Sequence, residues 1–529
     1  MEQNDGGRKT LGPSTTKPLV MDDLSDDILT RIFGFVLGPV RTQEHYINNG
    51  ITVRHEHMLP TMVSNFDDIQ CLPQVCKRWK TIVETSPTLW QKVHVSSSLL
   101  RIPRTVTAWM RVFFLLSTHS HKFESLHLTD ESCFRDNTLD TLKLGGLAGI
   151  TQNLKVIHFD HCFHRGANAS LLSVLPMMGR LEQLQISSVN HDFISNVAAL
   201  ATMPNLKRIQ MHGNGEYWDC DGSTLILAEE VLPRSLEVVS LANVKVMGAE
   251  GNLTPLGKLK ILELIYIEWN GPFVDTISRV TSLEKLVVAD CDKVVSERSG
   301  PPEMLWERLS NCKKLSEFQL SNGKYGNFCM NVGHDYSSVA ELSNLEEVIL
   351  CPEAFPPDPD SYGLGADMAG MSRLTTLHVV NFGLTKIPEA ITGIQSLTEL
   401  SLCGNKLTKF PTEPLQFEPH LRIIQLDNNR LREIPPCLGR FPKLQEIHIA
   451  SNPLLFDKAM EFLLELPFLN LLSLGCAPSG RPSDMFPLAS AIQVEDICRE
   501  LKLDPVGAFH LGSICTGLRC KNPKFQVLL

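Results

Sequence analysis

The sequence predicts an α/β protein: a small helical module followed by a solenoid of about 14 repeats that stack as a curved parallel sheet. Two patterns predict it. From residue 123 onward, a six-residue unit with apolar residues at positions one, four and six recurs fourteen times, from Phe123 to the unit at Leu469, with starts 23 to 32 residues apart. All 42 marked positions are apolar in a chain that is 43% hydrophobic overall. Upstream, the apolar residues fall at helical rather than strand spacing.

The chain divides in order. Residues 1–20 read as a disordered tail, 21–95 as the helical module, 96–122 as a cap, 123–474 as the repeats and 475–529 as a closing cap. In the module, Leu24, Ile28, Leu29, Ile32, Phe33 and Val36 share one helical face, with Ser25 or Asp26 placed to cap it. Residues 71–93 hold a second amphipathic run, then a Ser86-Pro87 turn and Leu89-Trp90. Between these segments, residues 38–70 are polar and carry His45, His55 and His57, which predicts a surface excursion.

Within each repeat, positions four and six point into the core from a short strand, and position five points out. A unit alone cannot bury its apolar side, so neighbours must stack. The later units run LTELSLCGNKL (397–407), LRIIQLDNNRL (421–431) and LQEIHIASNPL (444–454). Asn405, Asn429 and Asn452 stand where a polar side chain can bond to the turning backbone; earlier units put Cys162 and Cys291 there. The proline-rich stretches 351–365 and 296–304 are expected to loop out.

These units match the LxxLxLxxNxL pattern and resemble leucine-rich repeats, the early ones the cysteine-containing subclass. LSDDILTRIF followed by LPQVCKRWKTIVETSPTLW resembles the F-box. It departs in having Ser25 where that family usually has proline, and in the long insertion at 38–70. The F-box resemblance implies docking to a Skp-type adaptor and a cullin-RING scaffold, with the repeats recruiting a protein substrate for ubiquitin transfer. The residues that match the family's motif, and so carry the implied adaptor-binding role, are Leu24, Ile28, Leu29, Ile32, Phe33, Val75, Cys76, Trp79 and Trp90. Some build the module's own core and others face the adaptor. A leucine-rich-repeat scaffold for a signalling protein, with the helices as a cap, is the competing expectation. A small-molecule sensor closed by loops 212–224, 296–304 and 351–365 is a third.

Position five assigns the substrate-binding concave face to His127, His158, Gln185, Gln210, Glu263, Gln319, His378, Gln425 and His448, with Ser240, Val287, Ile349, Ser401 and Ser473 between or beside them. Positions two and three add nine acids and six bases, so the flanks read as mixed in sign and slightly acidic.

Chemistry elsewhere is sparse. Forty-nine Lys+Arg against 59 Asp+Glu give a net charge of −10, which disfavours nucleic acid as a partner. His161, Cys162 and His164 lack metal-site spacing, His55-Glu56-His57 is not HExxH, and Asp219-Cys220-Asp221-Gly222 is only a fragment of a calcium loop. The 15 cysteines include no CxxC and read as small buried hydrophobes. With no apolar leader or membrane-length run, the chain is expected to be a non-catalytic, cofactor-free protein of the cytoplasm or nucleus, with no membrane partner.

Overall fold

The computed structural model describes residues 77–96, 120–129, 153–160, 168–189, 191–213, 224–247, 254–270, 273–289, 294–295, 309–321, 337–351, 366–454, 458–474 and 526–528, with Ser25, Leu29, Ser64, Asn65 and Thr118. Each of the fourteen units forms a strand, and every strand pairs in parallel with the next in sequence, from Ser125–Thr129 through to Leu471–Ser473. All 42 marked residues are buried, none more than 4% exposed. Each such leucine contributes about 2 kcal/mol by leaving water.

The register keeps step with the repeat. Position four faces position four across the ladder, as in Leu126↔Ile157, Leu262↔Leu286 and Ile424↔Ile447. A slip occurs between Ile186 and Val189, where the strand Gln183–Val189 outruns its neighbour. Parallel pairing needs a crossover after each strand. These crossovers carry short helices such as Asn168–Val174, Val197–Thr202, Pro436–Arg440 and Lys458–Glu465. Leu175, Leu200, Leu438 and Leu463 from the crossovers join the same continuous core.

A turn with fixed chemistry ends the strands. The residue at position eight has a positive φ in six repeats: Asn243, Tyr266, Asn381, Gly404, Asn428 and Ser451. Glycine and asparagine adopt this left-handed conformation most readily. Its backbone N–H reaches into the next repeat, as from Asn381 to the Cys403 carbonyl at 3.0 Å and from Asn428 to the Ala450 carbonyl at 2.9 Å.

The position-nine asparagines then tie neighbours together. Asn405 donates from Nδ2 to the Val379 and Leu402 carbonyls at 2.8 and 2.9 Å, and its Oδ1 accepts the Leu384 N–H. Asn429 repeats the pattern on Leu402, Leu426 and Leu407, and Asn452 on Leu426, Ile449 and Leu431.

The sheet is longer than the repeat pattern predicts. Lys92–Ser96 pairs with the first repeat strand, and Ser64–Asn65 pairs with Val93–His94. The expected surface excursion at 38–70 therefore gives a strand to the sheet. At the far end, Gln526–Leu528 pairs with Leu471–Ser473, bringing the ladder to 17 strands. A second, four-stranded parallel ladder (Leu225–Ile226, Lys245–Met247, Glu268–Asn270 and Val294–Val295) follows the turns of the middle repeats. Its strands are two or three residues long, too short for a period-two signal to be read in the sequence.

The second helical segment forms Lys77–Thr85 and Pro87–Trp90, separated by Ser86. Ile82, Leu89 and Trp90 belong to the same core as the repeats, and Trp90 lies 6.0 Å from Phe123. Of the first segment, Leu29 is fully buried and its N–H bonds to the Ser25 carbonyl at 2.9 Å, the spacing of one helical turn. Residues 1–24, the loops 296–304 and 352–365, and residues 475–525 lie outside the described residues.

Candidate functional site: the concave sheet

Position five forms one continuous row across the sheet: His94, His127, His158, Gln185, Gln210, Ser240, Glu263, Val287, Gln319, Ile349, His378, Ser401, Gln425, His448 and Ser473 stand abreast in register. Every predicted concave residue falls in it. They are less open than an outward position suggests. His127, His158, Gln210 and Glu263 are buried, and Gln185, Gln319, His378, Gln425 and His448 are half-buried. The cause is crowding: strands about 4.8 Å apart press each side chain between its two neighbours.

The N-terminal part of the row is a stack of imidazoles. His127 and His158 lie 4.0 Å apart and 8° from parallel, with His94 at 4.6 Å from His127. Burial, with the charge of His94 behind it, drives the His127 pKa down to about 3, so this ring is neutral at pH 7.

Toward the C-terminus the face turns acidic. Lys285 bonds to Glu317 at 3.0 Å, His378 to Glu399 at 2.9 Å, and His448 to Glu446 at 3.2 Å. Burial, then the Glu317 charge, push the Glu347 carboxyl above its usual range. The hydrogen bond from His378 pulls Glu399 the other way. Burial disfavours the Lys285 ammonium, yet its hydrogen bond and attraction to Glu317 leave its pKa above the ordinary value. Asp427, raised by burial, accepts the Ala450 N–H at 2.6 Å and lies beside the Cys403 thiol.

The position-two charges belong elsewhere. They line the strand entry edge and pair along it: Glu124–Lys155 at 3.5 Å, Glu182–Lys207 at 2.9 Å and Glu237–Lys260 at 2.8 Å. Counting positions two and three together therefore mixes a self-neutralised rim with an acidic face.

Of the predicted adaptor residues, Leu29 and Trp90 are 0% and 2% exposed and build the core, so neither offers a surface to a partner. Trp79 is half-buried against that core. Leu24, Ile28, Ile32, Phe33, Val75 and Cys76 lie outside the described residues, as do Cys162, Cys291, His161, His164 and 219–222. Burial pushes the Cys312 thiol up to about 11, and Cys403 and Cys437 are raised for the same reason. Such thiols are packing groups rather than nucleophiles. Among the described residues, no group of three or more His, Cys, Asp and Glu side chains is placed to hold a metal ion, and no helix is long and apolar enough to cross a membrane.

Residues 395–454 match the family model for the leucine rich repeat. Those residues are leucine-rich repeats, and the other units share their spacing and strand register. Curated relatives include lumican from Gallus gallus, 26% identical over 241 residues, which cover 45% of this chain and 57% of that protein. Lumican from Bos taurus is 24% identical, covering 43% of this chain and 53% of the relative. The match thus spans little more than half the length of these relatives. Among solved structures, a leucine-rich-repeat protein of Leptospira interrogans gives a TM-score of 0.47 at 16% identity, covering 85% of this chain and 98% of the other. The mouse RP105/MD-1 complex gives 0.42 at 17%, covering 65% of this chain and 57% of that one.

Proposed function

We propose that this chain is the substrate-recognition subunit of an SCF-type cullin-RING ubiquitin ligase, working in the cytoplasm or nucleus. The observation that carries the reading is the segment LPQVCKRWKTIVETSPTLW, which resembles the second half of the F-box and whose described part is two helices joined at Ser86. Their apolar residues share one core with the first repeat, so a partner docked on the helices is held in a set geometry relative to the concave face. The subunit itself is non-catalytic: it raises the effective concentration of substrate near a charged ubiquitin-conjugating enzyme.

The test is co-purification of the full chain with a Skp-type adaptor and cullin, against the double variant Ile32→Asp/Phe33→Asp. Capture by wild type and loss in the variant, with the repeats still folded by circular dichroism, supports the reading. A deletion testing the insertion as a gate should stop at residue 60, since Ser64–Asn65 is part of the sheet. No capture by any form leaves the second reading, a repeat scaffold with a helical cap. The family match lies within the repeats, which both readings share.

A further inference from the structure

The outward positions of the strands from Ile261–Ile265 to Glu446–His448 carry Glu263, Glu317, Glu347, Glu399, Asp427 and Glu446. Lys285 is the one lysine or arginine among the described outward positions of that stretch. The carboxylates outnumber the cations on this face, and of the rim lysines Lys207 and Lys260 are already paired with Glu182 and Glu237. Arg208, on the outward position beside this stretch, is felt by the rim carboxylate Glu237.

A second observation comes from the polar groups beside the acids. Gln210 is 2% exposed and Ser240 4%, and Gln210 Oε1 and Ser240 Oγ have no hydrogen-bond partner. Gln185 Oε1, one strand further on, has none either. Gln210 Nε2 contacts His212 Nε2 at 3.5 Å, which leaves the amide oxygen as the unused end. The register sets Gln185, Gln210, Ser240 and Glu263 abreast on four consecutive strands of the main sheet. Three unsatisfied oxygens and a buried carboxylate thus stand in line. Buried polar atoms are nearly always satisfied; the two amide oxygens can only accept and the Ser240 hydroxyl can accept as well as donate, so the row has room for donors.

We propose that an arginine guanidinium from a basic, extended segment of a protein partner seats over Ser240, between Gln210 and Glu263 on the strands to either side, with further cationic side chains of that segment along Glu317, Glu347 and Glu399. A guanidinium carries five N–H donors in a planar fork, no acceptor, and a weakly held hydration shell. It matches an amide oxygen on one side and a carboxylate on the other, where an ammonium, compact and strongly hydrated, supplies fewer directed donors and costs more to desolvate. This inference rests on the protein-binding reading of the concave face and is independent of whether the helices dock an adaptor.

The experiment uses the full chain and three short fluorescein-labelled peptides with arginine, lysine or glutamate at alternate positions, followed by fluorescence anisotropy. The arginine peptide should bind about tenfold more tightly than the lysine peptide, and the glutamate peptide should not bind. Glu263→Gln should weaken the arginine peptide by about tenfold and Ser240→Ala by a few-fold, with unchanged melting temperatures. Glu182→Gln on the rim should leave binding unaltered. Equal binding of arginine and lysine peptides, with Glu263→Gln indifferent, would reduce the effect to diffuse charge and overturn the assignment. Preference for the glutamate peptide, or binding of none, would overturn it as well. Adaptor capture, measured on the same variants, scores the ligase reading separately.

Discussion

His127 lies face to face on His158, with ring centroids 4.0 Å apart and planes 8° from parallel. Neighbouring parallel strands put the two rings in register, and burial keeps the His127 ring neutral. A folded-state pKa below the unfolded value means that the unfolded chain binds the proton first. The stability from His127 is therefore complete above pH 6.5 and is lost as pH falls from 6.5 toward about 3.

The first prediction follows from that sign. Urea unfolding followed between pH 7 and 5 should show stability falling by about 1.4 kcal/mol per pH unit for this histidine once below its unfolded pKa. His127→Gln should flatten that slope. The raised carboxyls Glu347 and Asp427 act in the opposite sense, so the quantity read is the difference in slope between wild type and variant, which they share. An unchanged slope in the variant would remove the stack as its source.

Asn429→Ala removes donors to Leu402 and Leu426 and the acceptor for the Leu407 N–H, all of them buried. The expected loss is about 3 kcal/mol, read as a shift of the urea midpoint. Asn344→Ala removes one exposed bond to the Lys313 carbonyl and should cost less than about 1 kcal/mol. Similar costs at both sites would argue against the asparagine ladder.

Gly404 has φ +70°, and a Cβ there would sit 1.8 Å from Asn381 Oδ1. Gly404→Ala should destabilise by at least about 2 kcal/mol, through strain and through displacement of the neighbouring turn. Gly179→Ala, with nothing within 4 Å of the new methyl, should stay within about 0.5 kcal/mol of wild type. Thermal melts of the pair decide the point.

Trp90→Ala should cost about 3–5 kcal/mol, because the indole is 2% exposed in the core that joins the helices to the first repeat. Hydrogen exchange should show the loss spreading into Lys92–Ser96 and Ser125–Thr129. Loss of protection confined to Lys77–Thr85 would mean that the helices and the sheet unfold independently.

The core was legible because its signal is redundant. Leu400, Ile424 and Ile447 face one another in the sheet and recur at one place in a pattern that the eye can count. Asn405 and Asn429 were legible for the same reason. The strand Ser64–Asn65 was not, since two residues in a polar stretch carry no periodicity, and only their pairing with Val93 and His94 makes them part of the sheet. The concave residues could be named but not weighed. Gln210 and Gln425 hold the same repeat position, yet one is buried and the other half-buried, because neighbours across strands set their exposure.

The sequence by itself determined the solenoid, its core, the outward row and the asparagine turns, because each is dictated by the alternation of side chains within one short strand and repeated in every unit. Tertiary structure decided where the sheet begins and ends, that Leu29 and Trp90 belong inside, and that Lys207 and Lys260 neutralise a rim while Glu317, Glu347 and Glu399 remain on the face. Those outcomes depend on pairings between residues more than twenty positions apart, and a charge takes its meaning from the neighbour that stacking gives it.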